Sequence, residues 1–374
     1  MMHLSYCTNV HPAEDLDGVI AQLEQYAGPA RAAAGLDTLG VGLWLPAELA
    51  KQLATNEADR DRLRAVLDAQ GLEVRTLNAF PYAAFHADVV KLDVYLPDWT
   101  DPRRLEYTID AARALAALLP ARADGSISTL PLGWRTGWGA EQDAAATEAF
   151  AALVAALRQI HDTTGHTIRI GIEPEPGCIL DNVADIVEWL SARKDVIDPE
   201  FVGVCLDTCH LAVSFADPVA AVRSIHDAGL KVVKIQASAA LEVATPADPE
   251  SREAISTFAE PRYVHQVREN QGDTGILRVD DLDEALATLP AQGPWRVHFH
   301  VPLHMIPDAP LSATTNVLLA AVDAVVGERP EHDIHLDIET YTWSVLPEPP
   351  ADLAAGIASE LLWAQRELMG TRTE

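Results

Sequence analysis

Two short apolar runs, Ile168-Arg-Ile-Gly-Ile-Glu173 and Val202-Gly-Val-Cys-Leu-Asp207, enclose the helical pattern Asn182–Lys194. Continuous apolar runs are typical of parallel strands whose two faces are both covered by other elements. The order strand, helix, strand indicates a parallel β-α-β unit. The sequence therefore predicts an α/β protein built around a parallel sheet.

The same alternation runs through residues 1–374, which we interpret as a single domain. The strand candidates are His3–Thr8, Leu39–Leu45, Leu72–Phe80, Ser126–Leu130, Ile168–Glu173, Val202–Asp207, Lys231–Ala237, Trp295–Val301 and Ile334–Glu339. The helical patterns are Asp15–Ala34, Pro46–Gln70, Pro102–Leu118, Ala140–Thr164, Asn182–Lys194, Pro218–Ala228, Asp280–Leu289, Ser312–Val326 and Pro350–Met369.

These nine strand candidates exceed by one the eight that close a barrel. We predict a (β/α)8 TIM barrel with one extra strand or extended loops at the C-terminal mouth, the extra segment being Trp295–Val301 or Ser126–Leu130. An open doubly wound sheet would accept nine strands, but we find no Gly-rich first turn that would hold a dinucleotide. Two irregular segments, Tyr82–Asp101 and Glu242–Arg278, follow strands and are expected to act as lids.

The composition narrows the class of partner. The chain has 27 Lys and Arg against 56 Asp and Glu, a formal net charge of -29, which disfavours nucleic acid and anionic membrane surfaces. It lacks an apolar run long enough to span a membrane, and Met1–Pro12 does not resemble a secretion signal. We therefore expect a cytoplasmic protein with free thiols and no zinc–thiolate site. Its expected partner is a small molecule, and the sequence does not decide whether it forms a homo-oligomer.

Three acidic residues end apolar strand candidates: Glu173, Asp207 and Glu339. Strand ends converge at the C-terminal face of a barrel, so these carboxylates should meet there and repel one another. A divalent cation would offset the repulsion. A site of oxygen ligands with one imidazole or amide suits Mn²⁺, Mg²⁺ or Co²⁺, and Zn²⁺ is an alternative ion. Each residue alone could equally be a surface or capping residue.

Polar side chains at two-residue spacing share one face of a strand. Lys234 and Gln236 form one such pair, and His298 and His300 form another. Lys234 needs an anionic partner, which the carboxylate cluster would supply, while the two histidines could instead bond within the barrel wall. Trp343 is a candidate for stacking on a sugar ring, or it is simply a core anchor.

The segments Leu206-Asp-Thr-Cys-His210 and Ile172-Glu-Pro-Glu175, with the terminal Glu339, resemble the xylose isomerase-like barrel superfamily of sugar phosphate isomerases/epimerases. That superfamily also contains the endonuclease IV type of repair enzyme. More narrowly, Ser5–Asn9, Tyr263–Gln266, His298–Pro302 and Glu339–Trp343 resemble the EboE subgroup of metabolite traffic proteins. The charge of -29 argues against the repair-enzyme branch, which needs a basic DNA groove.

The resemblance implies roles for individual residues. It makes Glu173, Asp207 and Glu339 metal ligands, with Glu173 and Glu339 also catalytic acid and base. It implies that His210 holds substrate oxygens and that Arg268, with His265 close by, lies near a substrate-binding position; we add Lys234, His298 and Trp343 as substrate contacts. The seventh strand departs from the pattern, because it offers Lys234 and Gln236 where the superfamily has a histidine ligand. Gln236 or His300 would then be the fourth ligand.

We therefore expect a metal-dependent isomerase or epimerase that transfers a proton next to a carbonyl of a sugar or cyclitol-like metabolite. Two alternatives remain: a metal-dependent hydrolase, and a non-catalytic metabolite-binding or traffic protein on the same barrel. Stoichiometric metal with isotope exchange at a sugar carbon would favour the first.

Overall fold

A closed barrel of eight parallel strands forms the centre of the computed structural model, which describes residues 1–370. Within these residues the strands are β1 Met2–Cys7, β2 Leu39–Trp44, β3 Leu72–Asn78, β4 Gly125–Thr129, β5 Ile168–Ile172, β6 Val202–Asp207, β7 Val232–Ala237, β8 Leu241–Val243, β9 Val267–Asn270, β10 Ile276–Val279, β11 Trp295–Val297, β12 Leu311–Ala313 and β13 Ile334–Ile338. The barrel order is β1-β13-β7-β6-β5-β4-β3-β2, with β2 closing on β1. The predicted (β/α)8 barrel is confirmed.

Helices follow most barrel strands and cover the barrel's outer face. Their bounds are α1 Leu16–Gln22, α2 Gly28–Ala33, α3 Ala47–Thr55, α4 Glu57–Gln70, α5 Pro102–Leu118, α6 Ala140–Thr164, α7 Val183–Ser191, α8 Thr208–Val213, α9 Pro218–Asp227, α10 Pro249–Ser256, α11 Leu282–Thr288, α12 Thr315–Gly327 and α13 Leu353–Glu367. The single helix predicted for Pro46–Gln70 is two, because Asn56 leaves the helical conformation and its side chain caps α4. The predicted end of this helical segment at Gln70 is correct, since the next residue, Gly71, takes a left-handed conformation with φ 66°.

The ninth strand candidate lies outside the barrel. Trp295–Val297 forms β11 in a five-stranded antiparallel sheet of order β10-β9-β11-β8-β12, whereas the Ser126–Leu130 candidate corresponds to β4 of the barrel. We call this second unit the insertion sheet; it lies between β7 and α12 in the chain. The prediction that Glu242–Arg278 is irregular is wrong, because strands of three or four residues and helix α10 occupy much of it. Such short strands carry too few residues to show an alternating pattern.

Below the mouth, the barrel interior holds one buried ion pair. Lys234 Nζ lies 3.0 Å from Asp337 Oδ2, and both side chains are fully buried. Ser5 Oγ donates to the other carboxylate oxygen at 2.8 Å. Gly42 of β2 makes room for this carboxylate, since a Cβ at position 42 would come within 2.2 Å of Asp337 Oδ2. The partner of Lys234 is therefore Asp337 and not the strand-end cluster that we expected.

Candidate metal centre and cavity

Three carboxylates meet at the C-terminal mouth of the barrel. Glu173 directly follows β5, Asp207 ends β6 and Glu339 directly follows β13; β6 and β13 flank β7. All three side chains are buried, and one carboxylate oxygen of each lies within 4.8 Å of the other two. Barrel closure thus brings together acidic groups that are up to 166 residues apart (339 minus 173).

Neighbouring donors fix two of these carboxylates. Glu339 accepts hydrogen bonds from three side-chain amides: Asn9 at 2.7 Å, Asn78 at 2.8 Å and Gln236 at 2.9 Å. Asp207 Oδ1 accepts from the His210 backbone N–H at 2.8 Å and from Ser238 Oγ at 2.9 Å. Hydrogen bonds from neutral donors favour the ionised form of a carboxyl group, which is the form that binds metal.

The donor set fits a hard divalent cation. Asp207 Oδ2 and Gln236 Oε1 are buried without a hydrogen-bond partner, although buried polar atoms nearly always have one. Gln236 donates its Nε2 to Glu339, so its free Oε1 belongs to the same cluster. Carboxylate and amide oxygens are the ligands that Mg²⁺ and Mn²⁺ prefer. Glu173, Asp207, Gln236 and Glu339 could therefore hold such an ion.

Without a cation the cluster resists ionisation. Burial, followed by the charges of Glu339 and Asp207, raises the pKa of Glu173 well above its ordinary value. Burial and the charge of Asp207 raise the pKa of Glu339 to about 8. Perturbed carboxyl groups of this kind, placed in a cleft, are a frequent property of functional sites.

The metal-free protein should lose stability as pH rises from about 4.5 to about 8. Glu339 binds its proton more tightly when folded than when unfolded, so its stabilising contribution is complete below the unfolded pKa and is lost as pH rises through the folded pKa. The loss is at most about 1.4 kcal/mol per pH unit for one carboxyl group. Urea unfolding in the presence of EDTA measures it.

Glu339→Gln should flatten this decline, and saturating Mn²⁺ should remove or reverse it, because the cation favours ionised carboxylates. Glu360→Gln is the comparison variant, since Glu360 is also buried with a pKa raised to about 7 by burial but bonds Thr340 and the Leu303 backbone instead. Its substitution should flatten part of the decline as well, but it should leave the effect of Mn²⁺ unchanged. Equal pH slopes for the wild type and Glu339→Gln in EDTA would contradict the prediction.

A group of imidazoles lies beside the carboxylates. His210 Nε2 is 3.0 Å from His298 Nε2, which is 3.3 Å from His300 Nε2. Glu175 Oε2 lies 3.2 Å from His210 Nε2, and Cys209 lies within coordinating range of His298 and His300. Burial lowers the pKa of His300 to about 4 and lowers that of His298 well below its ordinary value. Burial alone would lower the pKa of His210, but Asp207 and Glu175 raise it.

A cavity with about 510 Å³ of empty space, counting the part open to solvent, lies over both groups. Its polar lining is Asn9, Asn78, Glu173, Glu175, His210, His298, His300 and Glu339. Its aromatic lining is Phe80, Phe85, Tyr95, Tyr263 and Tyr341.

The segments Tyr82–Asp101 and Glu242–Arg278 join over the mouth, because the backbone N–H groups of Val90 and Lys91 both donate to Arg262 O at 2.8 Å. The Tyr82–Asp101 segment thus lies over the site, as its position after β3 led us to expect.

Four predicted substrate contacts lie outside this lining. Lys234 is bonded to Asp337 deeper in the barrel, and Arg268 pairs with Asp181 at 3.0 Å beside a different pocket. His265 is buried against Glu260 at 2.8 Å, and Trp343 is buried against the core.

The sequence prediction did not include several residues of the lining. Asn9 follows β1, Asn78 ends β3 and Glu175 comes two residues after Glu173. Strand-end position was the available signal for Asn78. For Glu175 it was Pro174, which biases the chain toward extended structure, where residues two apart lie on the same side.

The profile of the xylose isomerase-like TIM barrel family matches residues 30–294, well over half of the chain. The chain belongs to this family. Xylose isomerase-like barrels among solved structures share its fold at low sequence identity. D-allulose 3-epimerase from Methylomonas sp. is 14% identical over 98% of both chains, with a TM-score of 0.53. D-psicose 3-epimerase from Clostridium cellulolyticum H10 is 12% identical over 98% of this chain and 99% of that one, with a TM-score of 0.50.

No curated protein matches the sequence of this xylose isomerase-like chain. None of the helices in residues 1–370 combines the length and apolar character that a membrane crossing requires.

Proposed function

We propose that the protein is a divalent-metal-dependent epimerase or isomerase that acts on a sugar or cyclitol-like metabolite by proton transfer next to a carbonyl. One observation carries this proposal: three carboxylates from separate strands converge at the mouth of the barrel, where Glu173 and Glu339 line a cavity and Asp207 Oδ2 is buried without a hydrogen-bond partner. Sugar epimerases among the solved structures with this fold support the reaction class.

Glu173, Asp207, Gln236 and Glu339 would hold the cation, with His300 as a further candidate ligand. Their oxygen-rich set favours Mn²⁺, Mg²⁺ or Co²⁺ over a thiolate-preferring ion. Such a cation acts as a Lewis acid that polarises a carbonyl oxygen.

The two glutamates divide the proton transfer between them. Glu339 is held by three amides, so its carboxylate has a fixed position and acts from one side of the reacting carbon. Glu173 has weaker neighbours, the Cys205 thiol at 3.5 Å and the His210 ring at 3.7 Å, and is freer to take or return a proton.

The aromatic residues and histidines of the cavity lining could bind the substrate. Tyr341, Tyr263 and Phe85 pack against one another and can cover the apolar face of a sugar ring while excluding water. His210 and His298 line the same cavity within reach of substrate hydroxyl groups. We further propose, from the resemblance of Glu339–Trp343 to the EboE subgroup, that the substrate belongs to the handling of a specialised metabolite.

Exchange with heavy water tests the reaction. In D₂O with Mn²⁺, the protein should catalyse deuterium incorporation at the carbon next to the carbonyl of a ketohexose panel that includes D-allulose, measured by NMR. EDTA should abolish the exchange and renewed Mn²⁺ should restore it. Release of sugar from a parallel panel of glycosides and sugar esters, without exchange, would instead support a hydrolase. Tight sugar binding with neither exchange nor turnover would support the carrier, and both results would refute the epimerase.

A further inference from the structure

The three imidazoles over the carboxylate cluster are each fixed through Nδ1. His210 Nδ1 is 2.8 Å from Pro174 O, and His300 Nδ1 is 2.7 Å from Glu339 O. Both partners are backbone carbonyls, which only accept hydrogen bonds. Each Nδ1 therefore carries a proton, and the neutral form of each ring has a bare lone pair on Nε2.

His298 is fixed in the same way by an amide. Its Nδ1 lies 2.6 Å from Gln266 Oε1. The orientation of Gln266 is determined by its other end, because its Nε2 donates to Glu175 Oε1 at 3.0 Å and to Pro176 O at 2.9 Å. The atom facing His298 is thus an acceptor, and His298 also presents a lone pair on Nε2.

These lone pairs face one another. The Nε2–Nε2 separations are 3.0 Å for His210 and His298 and 3.3 Å for His298 and His300, and Glu175 Oε2 is 3.2 Å from His210 Nε2. The phenol of Tyr341, 3.5 Å from His298 Nε2, is a distant donor for this group. Electron pairs held this close repel unless a proton or a cation lies between them, and a shared metal ion converts the repulsion into coordination.

We propose that Glu175, His210 and His298 bind a second divalent ion, Zn²⁺, at a site distinct from the carboxylate cluster, with His300 as a candidate fourth ligand. Two imidazoles and one carboxylate, each with a hydrogen-bonded partner behind it, form a ligand set that zinc uses when a position is kept open for water or substrate. One ligand atom from each of the three residues lies within 4.8 Å of the other two. All three residues line the cavity, so the open position would face a bound substrate. This inference goes beyond the proposed epimerase and does not depend on it.

Metal counting and the spectrum of bound Co²⁺, a spectroscopic substitute for zinc, test the proposal. The chelated full-length protein is loaded with Zn²⁺ or Co²⁺, freed of excess ion and analysed by mass spectrometry of the metal. The wild type should hold two equivalents. His298→Asn should hold one, because its Nδ2 can replace the Nδ1 hydrogen bond to Gln266 while the Nε2 ligand is lost. Glu175→Gln should lose the same equivalent, with a change in the Co²⁺ spectrum.

Two variants make the outcomes separable. Asp207→Asn should lose the other equivalent and keep the imidazole-site spectrum. His226→Gln is the matched control, because His226 is exposed beside Glu328 and would bind metal only adventitiously. If folded His298→Asn and Glu175→Gln both hold as many equivalents as the wild type, the imidazoles share a proton and the proposal is wrong. If Asp207→Asn changes nothing while His298→Asn loses an ion, the zinc site stands and the carboxylate site of the proposed epimerase falls.

Discussion

Glu173→Gln and Glu339→Gln should each lower the rate of deuterium exchange and of epimerisation by about 10²- to 10⁴-fold, the contribution expected of a general acid or base. Glutamine keeps the size of glutamate but cannot accept and return a proton. It also imitates the protonated carboxyl group that the raised pKa favours at Glu173 and Glu339 in the metal-free protein, so the fold should survive.

The measurement compares kcat for exchange at saturating Mn²⁺ with the metal content of the same samples. Glu360→Gln, a change at a buried glutamate outside the cavity, controls for loss of a buried carboxyl group. A variant that binds the metal normally and retains more than about a tenth of wild-type exchange would exclude that glutamate from the proton transfer, since general acid–base catalysis is worth at least about a hundredfold.

Lys234→Met should lower the free energy of unfolding by about 3–5 kcal/mol, the cost of leaving one member of a buried ion pair without its partner. Lys234 and Asp337 are both fully buried, and their side chains meet at 3.0 Å. Burial alone would lower the pKa of Lys234, but the charge of Asp337 outweighs that effect and raises it, so Lys234 is charged in the folded protein. Chemical denaturation at pH 7 measures the loss.

The double variant Lys234→Met/Asp337→Leu should recover much of this loss, because two apolar side chains leave no uncompensated charge. The recovery distinguishes electrostatic destabilisation from poor packing of methionine. An exposed ion pair contributes at most about 1 kcal/mol to the free energy of unfolding. If Lys234→Met lowers the free energy of unfolding by less than that, Lys234 and Asp337 do not stabilise the fold as a buried ion pair.

The barrel was predictable because its strands are long enough to form recognisable runs. Ile168–Ile172 and Val202–Asp207 are continuous apolar segments between helices, and α5 and α6 begin and end at the predicted residues. The insertion sheet was not predictable in the same way. Its strands, such as Leu241–Val243, have three or four residues and pair with segments distant in the chain. A pattern of that length does not distinguish a strand from a loop.

In the candidate site, too, some residues could be predicted from the sequence and others could not. Glu173, Asp207 and Glu339 end barrel strands, and the geometry of a closed barrel brings strand ends together whatever the intervening sequence. Lys234 lies on a barrel strand as well, but its depth in the barrel depends on register, which places it against Asp337. The distance between Arg268 and the cavity depends on how the insertion sheet docks, which no local pattern encodes.

The insertion sheet supplies two of the three imidazoles. The carboxylates and His210 come from the barrel, whereas His298 and His300 follow β11 and reach the cavity from the added unit. The two units join at a seam where Val301 N donates to Ala239 O at 2.9 Å and Thr314 N donates to Ala240 O at 3.0 Å. Remodelling of this one excursion of the chain can therefore exchange His298 and His300 while the barrel keeps its acids and His210.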